Sequence, residues 1–378
     1  MKRIVFLDYV RVVACFLVML VHASENFYPG PASTDMAGPQ AMLACEADRF
    51  WVSLYDGFSR MSVPLFMIVS AFLLVPMKEG QTASEFYRRR ALRILPPFFI
   101  FIVLYSTIPM LWGQIDAATS ATDLSRALLN FPTLAGHLWF MYPLISLYLF
   151  IPMISPWLAK ASAKEERFFI WLFAISTCMP YLRRFFGEVW GECFWNEFHM
   201  LWYFSGYLGY LVLAHYIRVH LKWDIKKRLI VGSSLMVVGA VWTILSYYIQ
   251  AVPGVLLETP ELEIGWAFCT INVLMLTSGA FLLFTCIKKA ETPRVVLLLS
   301  NLSYGMYLMH IFWLGMWTAI FKGQMQLPSG IAIPVIAVST FFTCWVATLV
   351  ISWLPGGKWV VGTSTALPFA RRSQLSIG

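Results

Sequence analysis

The stretch DYVRVVACFLVMLVHA, Asp8 to Ala23, decides the fold, because it is an apolar run of membrane-spanning length that carries three ionisable residues. Arg11 and His22 are about three helical turns apart, so a helix places both on one face, about 16 Å from each other. Asp8 lies on that face too, close enough to pair with Arg11. Ionisable groups inside a membrane helix are costly unless they are paired or face inward, and they are functional by default. The alternative is a structural Asp8–Arg11 pair near the membrane surface, with His22 lining the far interface.

The composition excludes a water-soluble protein. Apolar residues make up 59% of the 378 residues and charged residues only 13%, and the mean hydropathy is +0.69. These values predict an all-α integral membrane protein with about ten transmembrane helices in one bundle, occupying residues 1–356, before a short tail at 357–378. The predicted spans lie near 5–27, 56–77, 94–112, 138–158, 168–186, 195–217, 229–251, 265–287, 295–320 and 329–354.

The net charge of +8 does not indicate nucleic-acid binding, because its distribution follows the predicted membrane topology. Most of the 28 basic residues fall in segments that are cytoplasmic when the N-terminus is cytoplasmic. That bias is the positive-inside signature, and it predicts that both termini are cytoplasmic. We therefore expect the lipid bilayer as a partner and no nucleic acid.

The cysteines and histidines give no metal-binding motif by spacing. Cys45 and Cys193 fall in predicted outer loops and could form a disulfide in an oxidising compartment, although the sequence does not supply the geometry. His215 and His220, at the inner end of the sixth span, are expected to mark the membrane interface. With no CxxC or HExxH spacing, we expect no metal and no bound cofactor.

The loop before the third span concentrates arginines in the sequence KEGQTASEFYRRRALRILPPFF, which starts at Lys78. Arg90 and Arg93 are one helical turn apart and can hold the same anion, since guanidinium groups bind phosphate through two parallel hydrogen bonds. The alternative is ordinary membrane anchoring, which we favour for Arg88 and Arg89. For Arg90 and Arg93 we favour phosphate binding.

Two further stretches add polar residues to the predicted bundle. In GHLWFMYPLISLYLFIPMI, from Gly136, His137 and Trp139 lie at the outer mouth of the fourth span, where aromatic residues usually anchor a helix at the interface. In LLLSNLSYGMYLMHIFW, from Leu297, the helical spacing predicts a polar stripe that lines a cavity or bonds a neighbouring helix. The stripe contains Ser300, Ser303, Tyr304, Tyr307 and His310, of which His310 is the best candidate to face a cavity.

In combination these residues resemble the bacterial acyltransferase-3 family of integral membrane O-acyltransferases, which modify cell-envelope and exported sugars. The resemblance covers nearly the whole chain and follows the order of the family's motifs. It rests on FLDYVRVVACFLVMLVHA, SVPLFMIVSAFLL, FYRRRALRILPP, GHLWFMYPLISLYLFIP and NLSYGMYLMH. One departure is visible, because Ser70 is followed by Ala71 where the family has Ser-Gly.

The resemblance implies an activity and a set of site residues. It implies ten core helices in a bacterial cytoplasmic membrane, a cytoplasmic acyl-CoA donor (acetyl-CoA in the simplest case) and a carbohydrate acceptor. Asp8, Arg11 and His22 would form the reaction centre, and Arg90 and Arg93 would hold the donor. The remaining candidates for a cavity or acceptor site are Trp139, His137, Ser70, Ser303, Tyr304 and His310.

Several alternatives stay open at this point. A transporter or flippase for a glycan or lipid-linked sugar would also place charges inside a bundle, and a sensor or assembly subunit would use them structurally. His22 could act as a general base or form an acyl-histidine intermediate. Many relatives carry a C-terminal hydrolase-like domain that is not seen after the tenth predicted span, so we expect the chain to act alone or with a partner. The acceptor glycan, the acyl chain and the oligomeric state, including envelope glycan-assembly partners, stay open.

Overall fold

The structure is a computed structural model that describes residues 3–28, 40–187, 199–363 and 365. In these ranges the chain is almost entirely helical. The α-helices are α1 Val5–Glu25, α2 Glu46–Ser59, α3 Ser62–Leu74, α4 Ala83–Leu111, α5 Ala117–Arg126, α6 Met141–Leu158, α7 Ala163–Ser176, α8 Met179–Phe186, α9 Leu208–Val219, α10 Ile225–Gln250, α11 Thr259–Leu262, α12 Ile271–Phe284, α13 Arg294–Thr318, α14 Ser329–Trp353 and α15 Gly357–Val361.

Short irregular pieces complete the described chain. Three 3₁₀ helices lie at Gly136–Phe140, His199–Phe204 and Ile264–Trp266, and a π-helix at Ala319–Gln324 continues α13. Two short strands, Gln40–Ala41 and Leu257–Glu258, pair antiparallel, with Ala41 opposite Leu257. This pairing ties the segment before α2 to the segment after α10.

The prediction of an all-α membrane protein is confirmed. Within the described ranges, eight helical stretches are long and apolar enough to cross a bilayer. They are Val5–Glu25, Glu46–Leu74, Ala83–Leu111, Gly136–Leu158, Ile225–Gln250, Ile264–Phe284, Arg294–Gln324 and Ser329–Trp353. The count of ten spans and the cytoplasmic location of the termini stay predictions.

The fifth and sixth predicted spans differ from the structure. The region 168–186 is divided between α7 and α8, and Pro180 lies in the first turn of α8, where a proline favours a helix start. The region 195–217 contains a 3₁₀ helix and α9, an apolar helix of only 12 residues. Gly206, between the two, has a φ of 73°, a left-handed conformation that suits glycine and ends the first element. Cys193 lies outside the described residues, so its pairing with Cys45 stays a prediction.

Helix α1 is the centre of the bundle. It packs against α2, α3, α12, α13 and α14, and Val10, Ala14, Met19 and Ala23 along its length are fully buried. A helix that is apolar all round and enclosed on several sides must turn its few polar groups toward protein rather than lipid. The ionisable residues of α1 therefore point at neighbouring helices, as the sequence predicts.

Helices α10 and α12 cross very closely, which fixes the position of the segment between them. A Cβ atom at Gly239 would lie 2.4 Å from the backbone nitrogen of Leu276, and one at Gly279 would lie 2.4 Å from the nitrogen of Met236. Only glycine permits such an approach of two helix backbones. The crossing holds the loop that carries Glu263 and Trp266 over one end of α1.

The two ends of the bundle differ in chemistry, and we name them by their residues. The basic end contains Arg3, Arg90, Arg93 and Arg218. The acidic end, at the other end of α1, contains Glu25, Asp56, Arg60 and Glu263, in which three carboxylates surround one guanidinium.

Candidate functional site

Asp8 is tied to the basic end by neutral and cationic donors. Arg3 donates two hydrogen bonds of 2.7 Å to the two carboxylate oxygens, and Ser300 and Thr292 donate bonds of 2.7 and 2.8 Å. Arg11 is more distant, with its Nη1 atom 3.8 Å from Oδ1 of Asp8. The predicted Asp8–Arg11 pair is therefore a weak contact, because the carboxylate oxygens of Asp8 already accept hydrogen bonds from Arg3, Ser300 and Thr292. The sequence argument missed Arg3 because it lies before the helix.

The basic end encloses a cavity of about 350 Å³ between α1, α3, α4, α6 and α13. Its wall carries five cationic side chains, and none of the described residues that line it is acidic. The cationic residues are Arg11, Lys78, Arg89, Arg90 and Arg93. Such a concentration of positive charge in a partly enclosed site favours a multiply charged anion.

Arg90 and Arg93 both line this cavity, while their role in binding phosphate stays a prediction. The Nε atom of Arg90 is buried and has no hydrogen-bond partner in the described chain, while its guanidinium carbon lies 5.8 Å from the centre of the Phe86 ring. A buried N–H without an acceptor is costly. Arg90 is thus held by packing against Phe86, and its Nε–H group remains available to donate a hydrogen bond to an anion. Arg89, which the sequence analysis assigns to anchoring, lines the cavity as well.

The cavity also contains three of the predicted polar candidates, Ser70, Ser303 and Tyr304. The hydroxyl of Tyr148 lies 3.4 Å from Oγ of Ser70, and the hydroxyl of Tyr304 donates to the carbonyl of Ile94. These contacts join α6 to α3 and α13 to α4, so side-chain hydrogen bonds connect the helices that form the walls of the cavity. Ala71, where the family has glycine, is fully buried.

Three histidines from different elements lie close together on the side of the cavity that faces the acidic end. The ring centre of His310 lies 5.1 Å from that of His22 and 4.8 Å from that of His137, and the rings of His22 and His137 are 6.4 Å apart. Tyr307 lines the cavity, and its ring lies 5.7 Å from His310 and 6.1 Å from His137. Tyr307 therefore stands between the cationic cavity and the histidine cluster.

The hydrogen bonds of these rings indicate which nitrogens are free. Nδ1 of His310 faces the carbonyl of Tyr307, so it carries the proton, and Nε2, which is buried without a partner, is a bare acceptor. Both ring nitrogens of His137 are buried and lack a partner within the described chain. Nδ1 of His22 lies 2.6 Å from Oε2 of Glu25, which directs the opposite nitrogen of His22 into the cluster.

Glu25 belongs to an ion network at the acidic end. Arg60 donates to Asp56 through Nε at 2.6 Å and Nη2 at 3.1 Å, and Nη2 also lies 3.5 Å from Glu25 and 3.5 Å from Glu263. Tyr28 donates a 2.6 Å hydrogen bond to Glu263. Burial raises the pKa of Glu263, which lies outside the spans, although Arg60 opposes that shift.

The predicted aromatic site residue, Trp139, lies near this network. Its ring stacks on Phe268 at 5.4 Å, and the Phe268 ring lies 5.9 Å from the guanidinium carbon of Arg60. Trp139 does not line the cationic cavity. The structure therefore divides the predicted site residues between two places, with Trp139 and the histidines toward the acidic end.

Glu25 and Arg60 are residues that sequence reasoning did not assign to the site, whereas Tyr307 belongs to the predicted polar stripe. Glu25 follows His22 by three residues and Arg60 follows Asp56 by four, which are spacings that bring helical side chains together. Those spacings could have indicated the two side-chain pairs from the sequence. The sequence does not indicate that α1, α2 and the loop at Glu263 converge, because this depends on how distant segments pack.

Comparisons with known proteins agree with this architecture. A protein family described as an acyltransferase domain matches residues 4–354. A Bacillus subtilis (strain 168) protein named "Putative membrane-bound acyltransferase YfiQ" is 23% identical over 359 residues, covering 91% of this chain and 89% of the relative. No solved structure matches the chain. With a family match over nearly its whole length and eight helical stretches able to cross a bilayer, the chain belongs to the acyltransferase-3 family of multi-pass membrane acyltransferases.

Proposed function

We propose that this protein transfers an acyl group, acetyl in the simplest case, from cytoplasmic acetyl-CoA to a hydroxyl of an envelope or exported glycan in a bacterial cytoplasmic membrane. The observation that carries the proposal is the adjacency of the cationic cavity and the histidine cluster, because Tyr307 lines the cavity and its ring contacts those of His137 and His310. Donor binding and proton transfer thus have neighbouring places in one transmembrane unit.

The cavity suits the donor by charge. Acetyl-CoA carries several phosphate charges, and five cationic residues face the cavity without a carboxylate among its lining residues. We assign Arg90 and Arg93 to the phosphates, since each guanidinium can form two parallel bonds to phosphate oxygens. Arg11, whose contact with Asp8 is weak, is free to attract the donor deeper in the bundle. Ser70, Ser303 and Tyr304 supply hydroxyls along the wall.

His22 suits the role of general base. Its Nδ1–H donates to Glu25, so Nε2 keeps a lone pair that can accept a proton. Glu25 fixes the tautomer and stabilises the imidazolium that forms in the reaction. Glu25 is thus a positioning residue, and Arg60 holds it from the second carboxylate oxygen.

The proposed step balances without a further reactant. Nε2 of His22 takes the proton of the acceptor hydroxyl as that oxygen bonds to the thioester carbonyl carbon. The carbon–sulfur bond then breaks, and the CoA thiolate takes the proton back from His22. General-base catalysis of this kind contributes about 10²–10⁴-fold to a rate. An acyl group carried on the His22 nitrogen is the alternative route, which quenched-flow trapping of labelled enzyme would detect.

The acceptor side is assigned to the acidic end. Trp139 and Phe268 present stacked rings near Arg60, and flat aromatic faces suit the apolar faces of sugar rings. His137 and His310 offer nitrogens without partners beside His22. We infer that these groups orient the acceptor hydroxyl.

The test is label transfer in membranes from radiolabelled acetyl-CoA to an envelope glycan extract. Wild type, His22→Ala, and Arg90→Ala with Arg93→Ala are compared at equal abundance, with Arg88→Ala as the matched control because Arg88 does not line the cavity. We expect transfer to require His22 and to need far more donor when Arg90 and Arg93 are both replaced. Equal transfer by all variants would refute the site assignment. Absence of transfer by wild type, with an intact envelope phenotype, would favour a transporter instead.

A further inference from the structure

A second group of polar side chains gathers at the basic end, outside the cavity. Nδ1 of His215 lies 2.9 Å from Oε1 of Glu166, and Nε2 of His220 lies 3.0 Å from the same oxygen. Glu166 lies in the first turn of α7, His215 lies in α9, and His220 is the residue that ends α9. The three ligand atoms lie within 4.8 Å of one another. None of these residues lines the cationic cavity.

The carboxylate of Glu166 is unusual in its burial and its bonding. The side chain is fully buried, whereas His220 retains 19% of its exposure. Oε2 of Glu166 has no hydrogen-bond partner in the described chain. A buried carboxylate oxygen without a donor is expensive, and an ionised carboxylate even more so. Hydrogen bonds from two histidines to Oε1 leave this second oxygen unexplained.

The spacing of the ligand atoms is near that of a metal site. Neighbouring ligands bound at 2.0–2.1 Å to one tetrahedral zinc ion are separated by about 3.3–3.4 Å. The two nitrogen–oxygen distances of 2.9 and 3.0 Å are slightly shorter, and all three ligand atoms lie within 4.8 Å, so small side-chain rotations would bring them onto one ion. A set of two imidazoles and one carboxylate is a ligand set that suits zinc and other first-row transition metals.

We propose that Glu166, His215 and His220 form a binding site for a divalent transition-metal ion of the zinc class. The ion takes Nδ1 of His215, Nε2 of His220 and the carboxylate of Glu166. The second carboxylate oxygen, or a water that enters beside the partly exposed ring of His220, fills the fourth position. Oε2 of Glu166 then has a partner, which it otherwise lacks.

The position of this site indicates a bracing role. The ion would join the start of α7 to the end of α9, where Arg218, three residues after His215, donates hydrogen bonds to the carbonyls of Phe72 and Val75 at 2.8 and 3.2 Å. Those carbonyls end α3, next to Leu73 and Leu74 in the cavity wall. The metal would hold α9 in place and, through Arg218, hold the wall of the cavity.

Sequence spacing did not indicate this site, because one ligand is distant along the chain. His215 and His220 are five positions apart, which is not the spacing of one helical face, and Glu166 lies on another helix. His220 is the C-cap residue of α9, and its ring nitrogen Nε2 lies 3.0 Å from Oε1 of Glu166. Only the packing of α7 on α9 completes the set.

The experiment is zinc binding by the full chain, purified in detergent, stripped with a chelator and titrated with Zn²⁺ against a chromophoric competitor. Variants are Glu166→Gln, His215→Ala and His220→Ala. The matched control is Asp224→Asn, since Asp224 is an exposed carboxylate nearby that caps α10, and asparagine caps a helix equally well. Co²⁺ in place of Zn²⁺ gives an absorption spectrum that reports its ligands.

We expect wild type and Asp224→Asn to bind one ion per chain and to show a rise in the thermal unfolding midpoint. Each ligand variant should bind more than about 100-fold more weakly, because even outer partners of metal ligands are worth about 10–100-fold in affinity. His220→Ala keeps the test decisive if the buried substitutions prevent folding. The proposal is overturned if wild type binds no Zn²⁺, or if the ligand variants bind it like wild type, in which case Glu166 only accepts hydrogen bonds from two histidines.

Discussion

Nδ1 of His22 lies 2.6 Å from Oε2 of Glu25, one turn later on the same helix. The other oxygen of Glu25 lies 3.5 Å from Arg60 of α2, so the histidine is held by a chain of residues rather than by one contact. His22 has a carboxylate partner on one side and the rings of His310 and His137 on the other, where Nε2 of His310 and both ring nitrogens of His137 lack a partner within the described residues. This arrangement suits the proposed role of His22 as a general base, because the bond to Glu25 fixes its tautomer.

Replacing Glu25 by glutamine should lower kcat while leaving the KM for acetyl-CoA nearly unchanged. The amide can still accept from Nδ1–H, but it removes the charge that stabilises the imidazolium. We expect His22→Ala to lower kcat by about 10²–10⁴-fold and Glu25→Gln to lower it by less. Steady-state label transfer on purified protein measures both, with Glu46→Gln as control, because Glu46 lies on α2 with a side chain 67% exposed. A KM effect without a kcat effect would remove Glu25 from the proposed role.

Replacing Arg93 by alanine should raise the KM for acetyl-CoA. A hydrogen bond to a charged group contributes about 1.5–3 kcal/mol, which corresponds to about 10–100-fold in KM. Arg93→Lys keeps the charge but loses the paired bonds, and we expect an intermediate value. Arg88→Ala should stay within about twofold of wild type, since Arg88 lies off the cavity. Initial rates over a range of acetyl-CoA concentrations check this, and equal effects at Arg88 and Arg93 would contradict it.

Much of the fold could be predicted from sequence because bilayer spanning leaves a strong local signal. The runs of apolar residues give the long helices, and the eleven-residue spacing of Arg11 and His22 places both inside the bundle. Predictions are weakest for the fifth and sixth spans, where the described residues form the short helices α7, α8 and α9 rather than uniform spans. Hydropathy alone does not distinguish a spanning helix from two short ones.

The candidate site was predicted in part, and the limit was tertiary contact. Spacing along α1 suggested a pair between Asp8 and Arg11, whereas Arg3 and Ser300 are the partners of Asp8 in the structure. His310 was a cavity candidate from its helical stripe alone, but its approach to His22 needs α13 to pack on α1. Such contacts have no signature within one segment.

Asp8→Asn should reduce stability more than turnover. Asp8 receives hydrogen bonds from Arg3, Ser300 and Thr292, which tie the start of α1 to α13 and to the segment before it. Losing the charge leaves Arg3 without its anionic partner, which costs up to about 1 kcal/mol because the Arg3 side chain is 45% exposed to solvent. We expect a lower thermal unfolding midpoint in detergent, with kcat per folded molecule close to wild type.

Arg3→Gln tests whether that effect belongs to the Asp8–Arg3 pair. It should lower the unfolding midpoint similarly, and the double variant should be less unstable than the sum of the single effects, because both changes remove one interaction. A fall in kcat for Asp8→Asn as large as that of His22→Ala would instead place Asp8 in the reaction itself.

The acidic end should make the protein less stable as pH rises, through Glu263. Three carboxylates, Glu25, Asp56 and Glu263, share the guanidinium of Arg60, and Tyr28 donates to Glu263. Burial is the main cause of the raised pKa of Glu263, so the folded state binds its proton more tightly than the unfolded state does. That contribution is complete below the ordinary value of 4.5 and is lost as pH rises through the folded pKa, by at most about 1.4 kcal/mol per pH unit.

Glu263→Gln should therefore make the thermal unfolding midpoint less dependent on pH. It should also stabilise the protein at the upper end of the pH range that is measured. Glutamine can still accept from Tyr28, and it removes one excess negative charge from a site with a single cation. Thermal unfolding between pH 5 and pH 8 measures the difference, with Glu261→Gln as control, because Glu261 is half exposed and pairs with Arg184. A midpoint that rises with pH in wild type but not in Glu263→Gln would show that Arg60 outweighs burial, and that Glu263 is ionised in the folded protein.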